Sequence, residues 1–164
     1  MKKILFILIL SLACLKVSAQ TPYIGGSVTL VYSDGLASDN NFHGGYEFNE
    51  KWAVGGTVGL NLVSYNNTTV AGGFVGINVR YTPWHNDVLY TDIKWRTEAL
   101  LRDAIGVEAA DLGFVGSLRF RVSDHFDIYT DFLPVGVRYS GGDTFPMIGI
   151  LCSGCSLGLL YRFK

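Results

Sequence analysis

Charge is scarce in this 164-residue sequence: Asp, Glu, Lys and Arg make up 16% of it, against roughly 25% in an ordinary soluble domain. Beyond residue 19 no apolar run approaches the roughly 18 residues that a membrane-spanning helix needs, which excludes a helical membrane protein. Only three histidines, three cysteines and four prolines occur, so acid–base and metal chemistry have few places to sit. No charge block, low-complexity tract or Pro/Ser linker divides the chain, which argues for one folded domain. Plentiful aromatics (10 Phe, 9 Tyr, 3 Trp) with little charge exclude disorder. Mild acidity argues against a nucleic-acid partner.

The N-terminus carries Lys2 and Lys3, the apolar run Ile4–Leu15, and the small-residue site Val17-Ser18-Ala19. This predicts a cleaved secretory signal peptide over residues 1–19 and a mature domain over 20–164. Lys2, Lys3 and Lys16 leave with it, so the mature chain holds 10 basic against 14 acidic residues. What the mature chain has in excess is glycine, 20 in all, together with alternation of period two, the period of a β-strand.

Eight segments alternate. Their apolar positions include Ile24, Val28 and Leu30; Phe42, Tyr46 and Phe48; Trp52, Val54, Val58, Leu60 and Leu62; and Val75, Ile77, Val79 and Tyr81. The pattern continues with Leu89, Ile93 and Trp95; Leu112, Phe114, Leu118 and Phe120; Phe126, Ile128 and Phe132; and Leu157, Leu159, Tyr161 and Phe163. The seventh segment changes phase: apolar positions are even up to Phe132 and odd at Val135, Val137 and Tyr139. Pro134 stands at the break, which predicts a β-bulge at Leu133–Pro134. Short links are expected at Asn49-Glu50-Lys51, Thr82–Asp87 and Val122–His125. Longer polar links are expected at Ser33–Asn41, Ser64–Thr69 and Thr97–Glu108, with a helical turn over Thr97–Gly106.

Alternation does not say which face is wet. A soluble secreted barrel would turn its apolar face inward and an outer-membrane barrel outward. No charge interrupts the apolar face of any segment. The other face holds Glu47, Asp92, Asp111, Asp127 and Asp131 against Arg80, Lys94, Arg96, Arg119, Arg121, Arg138 and Arg162. It is otherwise rich in Gly, Ser, Thr and Asn, a poor solvent surface but a good lining for a narrow polar lumen where opposite charges pair. Aromatics gather beside the short links (Phe48, Trp52, Tyr81, Trp84, Phe120, Phe126, Phe163), with Tyr32, Phe42, Trp95 and Tyr139 toward the other ends. Two girdles around an aliphatic band are what the two interfaces of a bilayer select. The expected fold is an eight-stranded antiparallel up-and-down transmembrane β-barrel, all-β, with both termini on the periplasmic side.

Gly44-Gly45-Tyr46-Glu47-Phe48, a short turn, and Trp52-Ala53-Val54-Gly55-Gly56 resemble the second hairpin of small bacterial outer-membrane barrels. The closing Leu157-x-Leu159-x-Tyr161-x-Phe163 resembles their C-terminal assembly strand, although Lys164 follows the last aromatic. As architecture, the whole mature chain is similar to OmpX-like and OmpA-transmembrane-domain-like proteins. That resemblance implies residence in the outer membrane of a Gram-negative bacterium. Its implied partners are membrane lipids, lipopolysaccharide and, through the last strand, the barrel-assembly machinery. It implies no particular activity.

Few residues invite chemistry. Cys152-Ser153-Gly154-Cys155 precedes a strand, not the helix N-terminus a redox pair requires, and there is no second pair to complete a zinc site. Their spacing puts the two on opposite faces of a regular strand, so a disulfide would need a local turn; the simplest reading is two small wall residues. Asn66-Asn67-Thr68-Thr69 reads as a polar loop tip. His85 and His125 fall in turns. His43 faces the expected lumen above Glu47 and is the only credible general base, for which Ser64 would be the nucleophile. The primary expectation is no enzyme, no cofactor and no metal: a structural or surface-interaction barrel with an ion-paired lumen and loops exposed outside. The alternatives are a narrow conduit for small or hydrophobic solutes and a lipid-modifying enzyme using His43.

Overall fold

The computed structural model describes residues 21–32, 36–65, 68–102, 106–148 and 156–163. The expected signal peptide and the Cys152–Cys155 pair lie outside the described residues. Nine strands occur among those described: β1 Thr21–Tyr32, β2 Leu36–Glu47, β3 Trp52–Tyr65, β4 Thr68–His85, β5 Leu89–Arg102, β6 Gly106–Arg121, β7 Phe126–Ser140, β8 Asp143–Ile148 and β9 Ser156–Arg162. Neighbours from β1 to β7 pair antiparallel in chain order, and β9 pairs with both β7 and β1, closing an eight-stranded barrel. β8 and β9 share the eighth position: β9 lies against Phe126–Asp131 of β7 and β8 against Val135–Ser140. The fold is the all-β, antiparallel, up-and-down transmembrane barrel.

The face assignment follows the alternation. On the apolar face Phe42 is 69% exposed and Val58 55%, while on the other Asp127 is 0% and Arg162 2% exposed. In a soluble domain that arrangement would be inverted; it is stable only where hydrocarbon covers the outside and charges pair within. Trp52 to Leu62 along β3 rises roughly 25 Å at ~40° tilt, the height of the apolar band of an outer-membrane barrel.

The bulge forms where Pro134 required it: Val115 pairs with Pro134 and Gly116 with Phe132, so Leu133 is the extra residue. A second irregularity lies at Pro83, between the Tyr81–Ile93 and Trp84–Thr91 pairs, and a third in β6, where Leu100 faces Ala109 and Leu101 faces Val107. The three short turns share one device. Asn49 Oδ1 accepts from the backbone N–H groups of Lys51 and Trp52 at 2.8 and 2.9 Å, and Asn86 Oδ1 accepts from Val88 and Leu89 at 2.9 and 2.7 Å. Ser123 Oγ does the same for His125 and Phe126 at 3.3 and 3.1 Å. Each is a polar side chain substituting for backbone in the turn.

The connections at the other end differ from expectation. Where it is described, the expected helical turn is strand: Thr97–Arg102 continues β5 and Gly106 opens β6. Most of Ser33–Asn41 belongs to β2, and Thr68 and Thr69 open β4 rather than a loop; at the turn end, Thr82–His85 of the expected Thr82–Asp87 link completes β4. The hairpin joining β7 and β8 turns on Gly141 and Gly142, both at positive φ (62° and 96°), with Ser140 paired to Asp143. Two adjacent left-handed positions define the tight primed turn that matches strand twist, and glycine adopts them without strain. Phe42 is not in a girdle; it pairs with Gly26 and Val58 in mid-wall. The turn-end girdle forms as expected, with Trp52 against Tyr81 at 4.6 Å between ring centroids and Tyr161 against Phe126 and Phe163 at 5.0 and 4.9 Å.

Candidate functional site

Charged side chains of the described strands point inward and meet across the barrel, so the lumen is where this chain concentrates its chemistry. Near the turn end three arginines and three carboxylates interlock. Arg119 donates from Nε to Asp92 Oδ2 and from Nη1 to Asp127 Oδ2, each at 2.8 Å. Arg162 pairs with Asp127 and, through Nε, with Glu47 Oε2 at 3.1 Å. Arg80 pairs with Glu47 and lies 3.9 Å from Asp92, which also accepts from Thr82 Oγ1 at 2.6 Å. Arg119 further stacks on the Tyr90 ring at 4.4 Å. β2, β4, β5, β6, β7 and β9 each contribute, because the period-two pattern of each presents its charge at the same level.

Above this lies a mixed level. Lys94 Nζ donates to Asp131 at 2.6 Å and sits 4.0 Å from the Tyr129 ring centroid. Asn78 donates to Thr57 at 3.1 Å. Toward the far end Arg138 makes a fork to Asp111 at 2.6 and 2.7 Å, Arg96 lies 3.8 Å from Glu98, and Asn61 hydrogen-bonds Asp39. Asp39 and Glu98 are further lumen charges, in segments where the sequence predicts loops and the structure has strand. Their inward placement follows from extending the same alternation beyond the apolar stretch.

Several lumen glycines lie directly under large side chains. A Cβ at Gly55 or Gly45 would collide with the Tyr23 hydroxyl, one at Gly59 with the Phe74 ring, one at Gly158 with Tyr129, and one at Gly25 with His43. Small wall residues make room for large rings. Between them remains a cavity of about 50 Å³, bordered by His43, Asn41, Thr57, Lys94 and Tyr129 among others. That is room for a few waters, at roughly 10–15 Å³ each.

His43 occupies the lumen, its ring centroid 5.5 Å from Tyr129 and 6.2 Å from Tyr23. The Tyr129 hydroxyl is 3.4 Å from the imidazole. Ser64 does not join it: His43 pairs with Thr57, and Ser64 lies seven residues further along β3, roughly 23 Å away. The structure therefore separates the general base from the nucleophile that catalysis would require. His85 and His125 stand at the turn end, His85 stacked on Tyr90 and 3.6 Å from Glu50, His125 hydrogen-bonded at 3.1 Å to the carbonyl of Arg162. Among the described residues no group of three or more His, Cys, Asp or Glu side chains is placed to hold a metal ion.

No protein-family model and no curated protein matches the chain. Solved structures do. The backbone structure of the Yersinia pestis outer-membrane protein Ail in a phospholipid bilayer nanodisc matches with a TM-score of 0.55 at 13% identity, over 88% of this chain and all 100% of that one. The crystal structure of Neisserial surface protein A matches with a TM-score of 0.51 at 11% identity, over 88% of this chain and 97% of the other. At such identities the likeness is one of fold. The chain is a transmembrane β-barrel with the fold of the small bacterial outer-membrane barrels, which its second hairpin and last strand already resemble.

Proposed function

We propose that this protein is a non-conducting outer-membrane barrel with a structural or surface-interaction role and no catalytic activity. The observation that carries the reading is the lumen, where opposite charges pair level by level and the central cavity between them is only about 50 Å³. Eight strands enclose a space that side chains can fill, and here arginines and aromatic rings fill it. A secretory leader over residues 1–19 would deliver the chain to the periplasm, and the aromatic-ended β9 suits insertion by the barrel-assembly machinery. Membrane lipids and lipopolysaccharide would surround the apolar belt.

Contact with the outside would involve a rigid β-rim rather than long loops. β4 has 18 residues and rises roughly 45 Å, against an apolar belt about 25 Å tall. Its far end and its neighbours thus stand clear of the membrane. Planar-bilayer recording tests the plugged lumen: purified protein is expected to give no steady conductance, and stable nanosiemens channels would support a conduit instead. For the enzymatic alternative, His43→Ala is expected to leave the lipid A mass profile of the host unchanged.

A further inference from the structure

The turn-end mouth of the barrel holds a cavity of about 230 Å³, separate from the central one. Arg121, Arg162, Tyr90, Asn49, Glu47 and Glu50 border it. We propose that this mouth is a binding site for a small phosphate-like oxyanion, held by Arg121 together with the unused edge of the Arg162 guanidinium. Among the described residues, four guanidiniums, Arg80, Arg119, Arg121 and Arg162, share this end of the lumen with three carboxylates, Glu47, Asp92 and Asp127. The three carboxylates are occupied by Arg80, Arg119 and Arg162. Arg121 makes no ion pair with any of these three carboxylates. Its guanidinium lies over the Tyr90 ring at 4.7 Å, and its Nε is buried without a hydrogen-bond partner.

A second, independent sign comes from Arg162. This side chain is almost wholly buried and borders the cavity, yet its Nη1 also has no hydrogen-bond partner. A buried guanidinium nitrogen without an acceptor is costly, and an oxyanion supplies acceptors and charge together. Asp127 Oδ1 is likewise unpartnered, but Asp127 does not border the cavity. Neither acid at the mouth competes: Glu47 is engaged by arginines through both oxygens, and the Glu50 side chain is 84% exposed and lies toward His85. Donors on β6 and β9 approach from different strands, which suits a tetrahedral acceptor, and the Asn49 amide adds a polar edge.

The test uses the whole mature chain, folded in nanodiscs of phosphatidylcholine alone, titrated with inorganic phosphate by calorimetry at low salt. Saturable one-to-one binding is expected. Arg121→Gln should weaken it about tenfold or more, while Arg138→Gln at the opposite mouth should not change it. Heat-modifiable gel mobility reports whether each variant is folded. If Arg121→Gln fails to fold, Arg121→Lys replaces it; that variant keeps the charge, loses the planar fork and should still bind phosphate more weakly. Adding phosphatidylglycerol to the nanodiscs separates the two sources of the anion. Competition with phosphate identifies a lipid headgroup, and unchanged affinity a soluble oxyanion. Absence of saturable phosphate binding by the wild-type chain, or equal binding by the folded Arg121 variant, would overturn the proposal.

Discussion

Asp127 shows how much rests on single residues in this lumen. It is fully buried and takes hydrogen bonds from Arg119 at 2.8 Å and from Arg162. Buried ion pairs contribute little net stability when intact, because desolvation offsets attraction, but removing one partner strands the other charge. Asp127→Ala leaves two guanidiniums short of an acceptor and is expected to cost about 3–5 kcal/mol in urea unfolding from lipid vesicles. A loss under about 1 kcal/mol would mean that water already satisfies these arginines. Val58 provides the opposite case. Val58→Arg places a charge in the lipid-facing belt, with an expected cost of about 2–4 kcal/mol, whereas Val58→Leu and Val54→Leu should be nearly neutral because acyl chains yield. In a packed soluble core those leucines would cost about 1–3 kcal/mol by overpacking.

At the scale of elements, the sequence disclosed phase better than extent. Leu133 and Pro134 announced their bulge because a missing N–H and a change of apolar parity coincide there. The turn end was legible as well, since Asn49, Asn86 and Ser123 each stand just before an apolar strand start. The far ends were not. Where strands leave the hydrocarbon their outward residues are no longer selected to be apolar, so Ser38 and Asn40 in β2, or Thr97 in β5, carry no contrast with their inward neighbours. Asp39 and Glu98 are illegible as lumen residues in the sequence for this reason. The β7–β8 hairpin did carry a signal, the Gly141-Gly142 pair between two alternating stretches. At φ near 96°, Gly142→Ala is expected to destabilise the barrel by about 1 kcal/mol, measurable as a shifted urea midpoint. The same change at Gly72, whose Cβ would find only one distant neighbour, should be milder.

For the whole molecule, the consistent theme is a protein turned inside out: a belt of exposed aliphatic and aromatic residues around a lumen of paired charges. The pairing, ring packing and strand closure all depend on that one orientation. Its most direct test is the environment of position 58, with the native cysteines replaced by serine and a spin label attached at Val58→Cys in the folded, bilayer-embedded chain. Collisions with lipid-soluble oxygen should be frequent and collisions with a water-soluble nickel chelate rare, with the same ordering at Val75 and Phe114 on other strands. A label at these sites that meets the chelate more readily than oxygen would contradict the assignment of this face to lipid.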